Sequence, residues 1–235
     1  MPPLPADSET DASTLAALLA HARALLGADL GDLADGLGLP VPPGALRTKG
    51  WSGQIIEQEL GLSLGGAAGP DFARLGVELK TVPVDGHLLP RESTAVCQID
   101  PIAIAADSWE TSYVRRKLAR VLWVALEVPR RPASAVAAPA SVGQRRVAAV
   151  RLWSPDSAEE AALAADFTLF VRDYFRRGRA AELTGHVGAV LQVRPKGRNA
   201  ADTRAGYGPD GAPTRLGKHG FYLRSAFVAA ILRGS

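Results

Sequence analysis

Apolar residues recur at helical spacing from Ser13 to Leu26, at Leu15, Leu18, Leu19, Ala22, Leu25 and Leu26, and Gly27 offers a C-terminal stop. A second helix is predicted over Leu30–Leu37, ending before Pro40, Pro42 and Pro43, and a third over Ser52–Leu60, ahead of Gly61. The period then changes. In Gly76-Val-Glu-Leu-Lys-Thr-Val82, Val77 and Leu79 alternate with Glu78 and Lys80, the two-residue repeat of a strand with one buried face. Thr94–Ile99, Arg146–Trp153 and Ala189–Val193 also read as strands. Val121–Val128 is an apolar, β-branched run of the kind buried on both faces of a sheet. Trp109–Lys117 and Ser225–Arg233 read as helices, and Ser157-Ala-Glu-Glu160 has the capping-box pattern that would open a long helix to about Arg177. Residues 129–143, rich in Pro and Ala, and 197–217, rich in Gly and polar residues, read as loops. The pattern predicts an α/β fold with a central mixed sheet flanked by helices.

A chain of 235 residues with 47% hydrophobic and 22% charged residues can build a sizeable core as one domain. The Pro-rich, polar stretch 1–12 is expected to be a disordered lead, and 13–235 a single domain. No apolar run reaches the roughly 18 residues that would span a bilayer. Met1–Asp11 has no basic segment followed by an apolar stretch, so no secretory signal is expected. Cys97 is the only cysteine, which excludes an internal disulfide and fits a reducing, cytoplasmic setting.

The net charge of +3 conceals a segregation. Residues 1–36 hold six acids against Arg23, whereas Trp109–Arg151 holds nine Arg/Lys against two acids and Arg172–Arg224 eleven against four. Such zones suit a polyanion, since Lys and Arg displace counterions condensed on phosphates. They equally describe a solvated basic surface in an Arg-rich chain. Arg outnumbers Lys by 22 to 5, which draws attention to Lys49, Lys80, Lys117, Lys196 and Lys218, because an amine can give up a proton and a guanidinium cannot.

The chemistry concentrates at Pro70-Asp71, then six residues, then Glu78-Leu79-Lys80. Alternate strand residues stand about 6.6–7 Å apart on one face, so Glu78 and Lys80 can address one small ligand. Asp71, arriving through a turn, can close a hard-oxygen site with Glu78 that the Leu79 carbonyl completes, suited to Mg²⁺, which keeps several waters and takes one or two carboxylates. Such an ion acidifies water and neutralises charge on a phosphate, and Lys80 would position or deprotonate the attacking water. The spacing alone is also met in strands that merely alternate charge with apolar residues. Glu57, on the helix before the motif, could orient a water or help hold a second ion, or be an ordinary solvated glutamate. The four histidines, His21, His87, His186 and His219, lack metal-ligand spacing, with His21 expected on a helix surface. No Ser/His/Asp arrangement or phosphate-cradling P-loop is apparent.

Beyond this motif, Lys49-Gly-Trp51-Ser-Gly53, Gly76-Val-Glu-Leu-Lys-Thr-Val-Pro-Val84, Trp109-Glu-Thr-Ser112, Arg120-Val-Leu-Trp123, Leu152-Trp-Ser-Pro155, Gln192-Val-Arg-Pro-Lys196 and Gly220-Phe-Tyr-Leu223 occur in one order. In these blocks the chain resembles the MutH family of mismatch-repair endonucleases from about Ser13 to Leu232. The resemblance implies a restriction-endonuclease-like fold with two lobes around a DNA cleft, the catalytic residues mainly in 49–117 and the DNA-reading segments in 190–224. It implies Mg²⁺-dependent nicking of the unmethylated strand at hemimethylated GATC sites by a monomer activated by MutL. Asp71, Glu78 and Lys80 match the family's catalytic positions, with Asp71 and Glu78 on the metal, Glu57 assisting and Lys117 near the reaction centre.

Lys49 matches a residue implicated in DNA contact or catalysis. Arg194-Pro195-Lys196 matches the segment that reads bases, in keeping with the bidentate pairing of Arg with guanine, although phosphate contact is the plainer alternative. Tyr222 matches the residue near the adenine amino group, or is simply a half-buried strand aromatic. Ala95 departs from the pattern, where an aromatic is expected, and residues 129–143 and 197–219 do not follow the family closely. Two other readings of the chain are a restriction endonuclease of the same fold cutting both strands at GATC, and a catalytically idle DNA-binding module.

Overall fold

The elements follow the predicted periodicities closely. In chain order they are α1 (Asp11–Ala24), α2 (Leu30–Gly36), α3 (Trp51–Glu59), β1 (Glu78–Val84), β2 (Thr94–Gln98), α4 (Tyr113–Leu118), β3 (Val121–Glu127), β4 (Arg146–Trp153), α5 (Ser157–Phe170), β5 (Leu191–Pro195), β6 (Thr203–Tyr207), β7 (Pro213–Gly217), β8 (His219–Leu223) and α6 (Ser225–Arg233). The computed structural model describes residues 11–43, 50–62, 69–129 and 141–234, so most of the expected disordered lead and residues 130–140 of the first expected loop lie outside it. Among the described residues no helix is long and apolar enough to cross a membrane.

Among the described residues the strands form three sheets in place of one, in the orders β1-β3-β4, β2-β8-β5 and β6-β7. The chain divides into two units. One comprises Met1–Arg91, Arg120–Trp153 and Ala229–Ser235, and the other Glu92–Ala119 and Ser154–Val228.

The first unit holds the mixed sheet. β1 runs parallel to β3 in the register Glu78↔Val121 through Val84↔Glu127, and β4 flanks β3 antiparallel. The central β3 is buried from Val121 to Leu126, as its unbroken apolar run requires. One face of the sheet, with Leu79, Leu122, Val124 and Val147, packs into a core with Val77 just before β1, Leu18 of α1, Leu25 just after it, Leu30 of α2 and Ile55 and Ile56 of α3. On β3, Trp123 meets Trp153 of β4 edge to face at 6.3 Å. His21 is only 6% exposed, so the buried stripe of α1 is wider than its leucine pattern indicates and the expected surface position is corrected.

The second unit holds the antiparallel sheet, with β8 between β2 and β5. Phe221 of β8 meets Phe167 of α5 in a tilted pair at 5.6 Å and Phe170 edge to face at 6.0 Å, and Trp109 closes the row against Phe167 at 5.7 Å. The cap of α5 lies one residue earlier than expected. Asp156 accepts the N–H groups of Ala158 and Glu159, and Glu159 returns a bond to the Asp156 N–H. Glu160 instead accepts from Trp109 Nε1 and Arg115 Nε. Beyond Phe170 the α-helix gives way to a π-helical turn, Val171–Phe175. The expected helix Trp109–Lys117 begins only at Tyr113, because Ser112 caps it by accepting the Arg115 N–H. The expected loop 197–217 is corrected as well: Gly208-Pro-Asp-Gly211 is the turn of the β6–β7 hairpin.

Candidate active site

A closed turn explains why six residues separate Asp71 from Glu78. Phe72 and Val77 exchange backbone hydrogen bonds of 2.8 and 3.3 Å, and the chain between them makes one 3₁₀ turn, Ala73–Leu75. Gly76 ends that turn at φ +60°, in the left-handed region where a side chain is strained. The loop returns Asp71 to the start of β1, where its Oδ2 accepts the Leu79 N–H at 2.8 Å. Asp71 itself is exposed.

Val77, just before β1, and Leu79 on it go into the core while Glu78 and Lys80 share the opposite side of the strand. Glu78 is 3% exposed, and its Oε1 accepts from Lys80 Nζ at 2.6 Å. A carboxylate removed from water to this degree needs a charge partner, and the ammonium supplies one. Helix α3 approaches β1 at Gly53, where an added Cβ would lie 3.5 Å from Thr81 Oγ1 and 3.7 Å from Glu57 Oε1. Glu57 is thereby brought into the field of the acidic pair. Its carboxyl is held above the usual range, first by burial and then by the negative charges of Asp71 and Glu78, with Lys80 pulling the other way.

Asp71, Glu78, Lys80 and Glu57 thus interact as one cluster within the first unit. Three carboxylates against one ammonium leave an excess of negative charge, which suits a divalent cation better than an anion. Among the described residues no group of three or more His, Cys, Asp or Glu side chains is placed to hold a metal ion by itself. A donor set of two carboxylates with the rest of the shell left to water and phosphate oxygens fits Mg²⁺ and does not fit a structural Zn²⁺ site.

The other predicted site residues fall in the second unit or outside the described chain. Lys49 lies outside the described residues. Lys117 is on α4, with its ammonium 5.6 Å from the centroid of the Tyr113 ring. Arg194 and Pro195 end β5 and are exposed, and Lys196 follows. The β5–β8 register sets Arg194 opposite Gly220 and Gln192 opposite Tyr222, and on the far side of β8 Tyr222 faces Ala95. Gly220 lets the Lys196 stem cross the strand, since an added Cβ would lie 2.9 Å from Lys196 Cδ. The Lys196 ammonium then rests 5.8 Å from the Tyr222 ring centroid. Burial raises the Tyr222 hydroxyl above its ordinary range, the nearby Arg194 charge lowers it, and Glu92 raises it. The structure therefore brings Arg194, Lys196 and Tyr222 together on one sheet.

Sequence reasoning missed Ser93, whose Oγ accepts from Arg194 Nη1 at 2.6 Å, and the cations of the β6–β7 hairpin. A turn signal at Gly208-Pro-Asp-Gly211 could have located the hairpin. Nothing local marks Ser93.

Comparison with known proteins identifies the family to which the chain is similar. Residues 60–166 match the family model described as DNA mismatch repair enzyme MutH. The chain is similar to the DNA mismatch repair protein MutH of Haemophilus ducreyi, at 40% identity over 93% of this chain and 92% of the relative. The corresponding protein of Klebsiella pneumoniae strain 342 is 41% identical over 92% of this chain and 89% of its own length. That of Shewanella oneidensis is 39% identical over 93% and 94%.

Proposed function

The chain belongs to the MutH family of DNA mismatch-repair proteins, and from that premise we propose that it is a Mg²⁺-dependent DNA endonuclease. In this reading it nicks the unmethylated strand at hemimethylated GATC sites, works in the cytoplasm as a monomer and is switched on by MutL. The observation that carries the reading is the cluster at the start of β1, where Asp71 is tied to Leu79 and Lys80 to Glu78. A restriction-endonuclease-like fold belongs to the same proposal, supported by a mixed sheet whose first strand bears the acidic pair.

Asp71 and Glu78 would hold the cation. When bound, it supplies positive charge at the scissile phosphate and acidifies water in its shell. The remaining work falls to the protein's own groups. The Asp71–Leu79 bond fixes one carboxylate oxygen, so the pair is preorganised before substrate arrives. Lys80 Nζ, already directed to the Glu78 carboxylate, can orient a water for attack and stabilise the charge that builds on the phosphate oxygens. Glu57, with its raised pKa, is a group that can exchange a proton with that water. In the reaction the water oxygen bonds to phosphorus, one P–O ester bond breaks, and the leaving oxygen takes up a proton.

One set of catalytic groups cuts one phosphodiester per encounter, and a monomer on an asymmetrically methylated site gives a nick. Arg194-Pro195-Lys196 and Tyr222 would supply base recognition, with Lys49 and Lys117 completing the contacts to DNA and the reaction centre. The test is cleavage of unmethylated, hemimethylated and fully methylated plasmid with Mg²⁺ or EDTA, with and without MutL. Nicked circles from the hemimethylated plasmid, dependent on Mg²⁺ and increased by MutL, are expected. Rapid linearisation without MutL would instead identify an enzyme that cuts both strands, and no cleavage under any condition would leave a binding module.

A further inference from the structure

Arg194 is tied to Ser93. It stands exposed near the end of β5, where a side chain with four rotatable bonds would ordinarily sample many conformers. Its Nη1 donates to Ser93 Oγ at 2.6 Å, and a Cβ added at Gly185 would come to 3.9 Å from its Nε, so that residue lies near without a hydrogen bond to it. Gly185 belongs to the irregular segment that leads into β5. Two charged side chains fasten that segment. Asp166 of α5, 6% exposed, accepts the N–H groups of Ala189, Val190 and Leu191 at 2.7–2.9 Å. Arg224 donates to the carbonyls of Gly188, Gly185 and Val187 at 2.9–3.1 Å, and its own N–H goes to the Val190 carbonyl. A carboxylate therefore takes the donors of this stretch and a guanidinium takes its acceptors.

Backbone groups in an irregular segment are usually left to water, so this degree of satisfaction by two charged side chains makes a rigid wall. The Ser93 hydroxyl, with that segment fastened nearby, reduces the freedom the guanidinium has to lose on binding. Reduced ordering on binding favours the one base edge that matches the preset geometry, whereas a mobile Arg would settle on any phosphate.

We propose that Ser93, backed by the loop that Asp166 and Arg224 fasten, is a positioning residue that presets Arg194 for direct reading of a base edge. The proposal rests on the assignment of Arg194 to base recognition. It concerns discrimination between sequences and leaves total affinity largely to phosphate contacts.

The test is equilibrium binding of the full chain, in EDTA, to a short duplex containing GATC and to duplexes with one base pair of that site changed. Ser93→Ala is expected to lower the ratio of cognate to altered-site affinity about threefold to tenfold, the net effect of one typical hydrogen bond at an exposed position. Its melting temperature and salt dependence should match the wild type, and Ser93→Thr, which keeps the hydroxyl, should keep the ratio. Asp166→Asn, which loses the charge that gathers three N–H groups, should lower the ratio in the same direction. If Ser93→Ala leaves the ratio intact while Arg194→Ala lowers it, the positioning role is overturned and base reading stands. If Arg194→Ala also leaves it intact, base reading by Arg194 fails and the proposal falls with it. An unchanged ratio in folded Asp166→Asn removes the loop from the device.

Discussion

The carboxylate of Asp71 accepts the backbone N–H of Leu79, the residue between Glu78 and Lys80, at 2.8 Å. That one bond locks the loop bearing the first acid onto the strand bearing the second acid and the lysine. The relative placement of the three groups is therefore set by the backbone.

Removal of either acid should separate chemistry from binding. Asp71→Asn keeps an acceptor for the Leu79 N–H but gives up the charge, and Glu78→Gln does the same beside Lys80. Each should lower single-turnover cleavage at least roughly a hundredfold. Affinity for duplex DNA in EDTA should stay within about threefold, because a carboxylate contributes no attraction to phosphate. Cleavage that persists in both variants would place the reaction centre elsewhere.

The loop that carries Asp71 turns on Gly76, at φ +60°, with no atom within 4 Å of an added Cβ. Only the backbone angle opposes a side chain here. Gly76→Ala should therefore destabilise the protein by about 1 kcal/mol, read as a lower urea midpoint at unchanged slope. Gly76→Asn, whose side chain tolerates the left-handed region, should lose less. Equal losses for Ala and Asn would show that space, not φ, governs the position.

Glu57 gives a prediction in pH. Burial and the charges of Asp71 and Glu78 raise its folded-state pKa above the ordinary carboxyl value of 4.5. The folded protein thus holds this proton more tightly than the unfolded chain. The resulting stabilisation is fully present below pH 4.5 and is lost as pH rises through the folded pKa. Glu57→Gln should accordingly melt higher than the wild type at neutral pH, with the difference shrinking as pH falls towards 4.5. A difference that grows on acidification would reverse the assignment.

The parts of this picture that were legible in sequence are those governed by local period. Alternation at Val77–Lys80 located β1 and put Glu78 beside Lys80, and the apolar run at Val121 located the central β3. What was not legible depends on contacts distant in sequence or on a choice between near-equal local signals. Ser93 and Arg194 are 101 residues apart, so neither the serine nor its neighbours hints at the bond. Asp156 and Ser157 are both good helix caps, and only packing selects the first, since Glu160 is engaged by Trp109 and Arg115. The hairpin Thr203–Gly217 reads as a loop because Gly and Pro are dense there. Leu216, buried over Gly206, supplies the single apolar anchor that makes it a sheet.

Gly220 offers the sharpest packing test in the second unit. It lies on the middle strand of its sheet, where an added Cβ would fall 2.8 Å from the Cys97 carbonyl oxygen and 2.9 Å from Lys196 Cδ. The lysine stem can swing aside, but the carbonyl belongs to the β2 backbone and cannot move without widening the ladder. Gly220→Ala should therefore destabilise the protein by roughly 1–3 kcal/mol. The double variant Gly220→Ala, Lys196→Ala separates the two contacts. If the backbone sets the limit, truncating the lysine leaves the denaturation midpoint as low as in the single variant. Recovery to the stability of Lys196→Ala alone would show that the lysine was the only obstacle, and that the small residue at 220 serves the passage of Lys196 towards Tyr222 rather than the closeness of the strands.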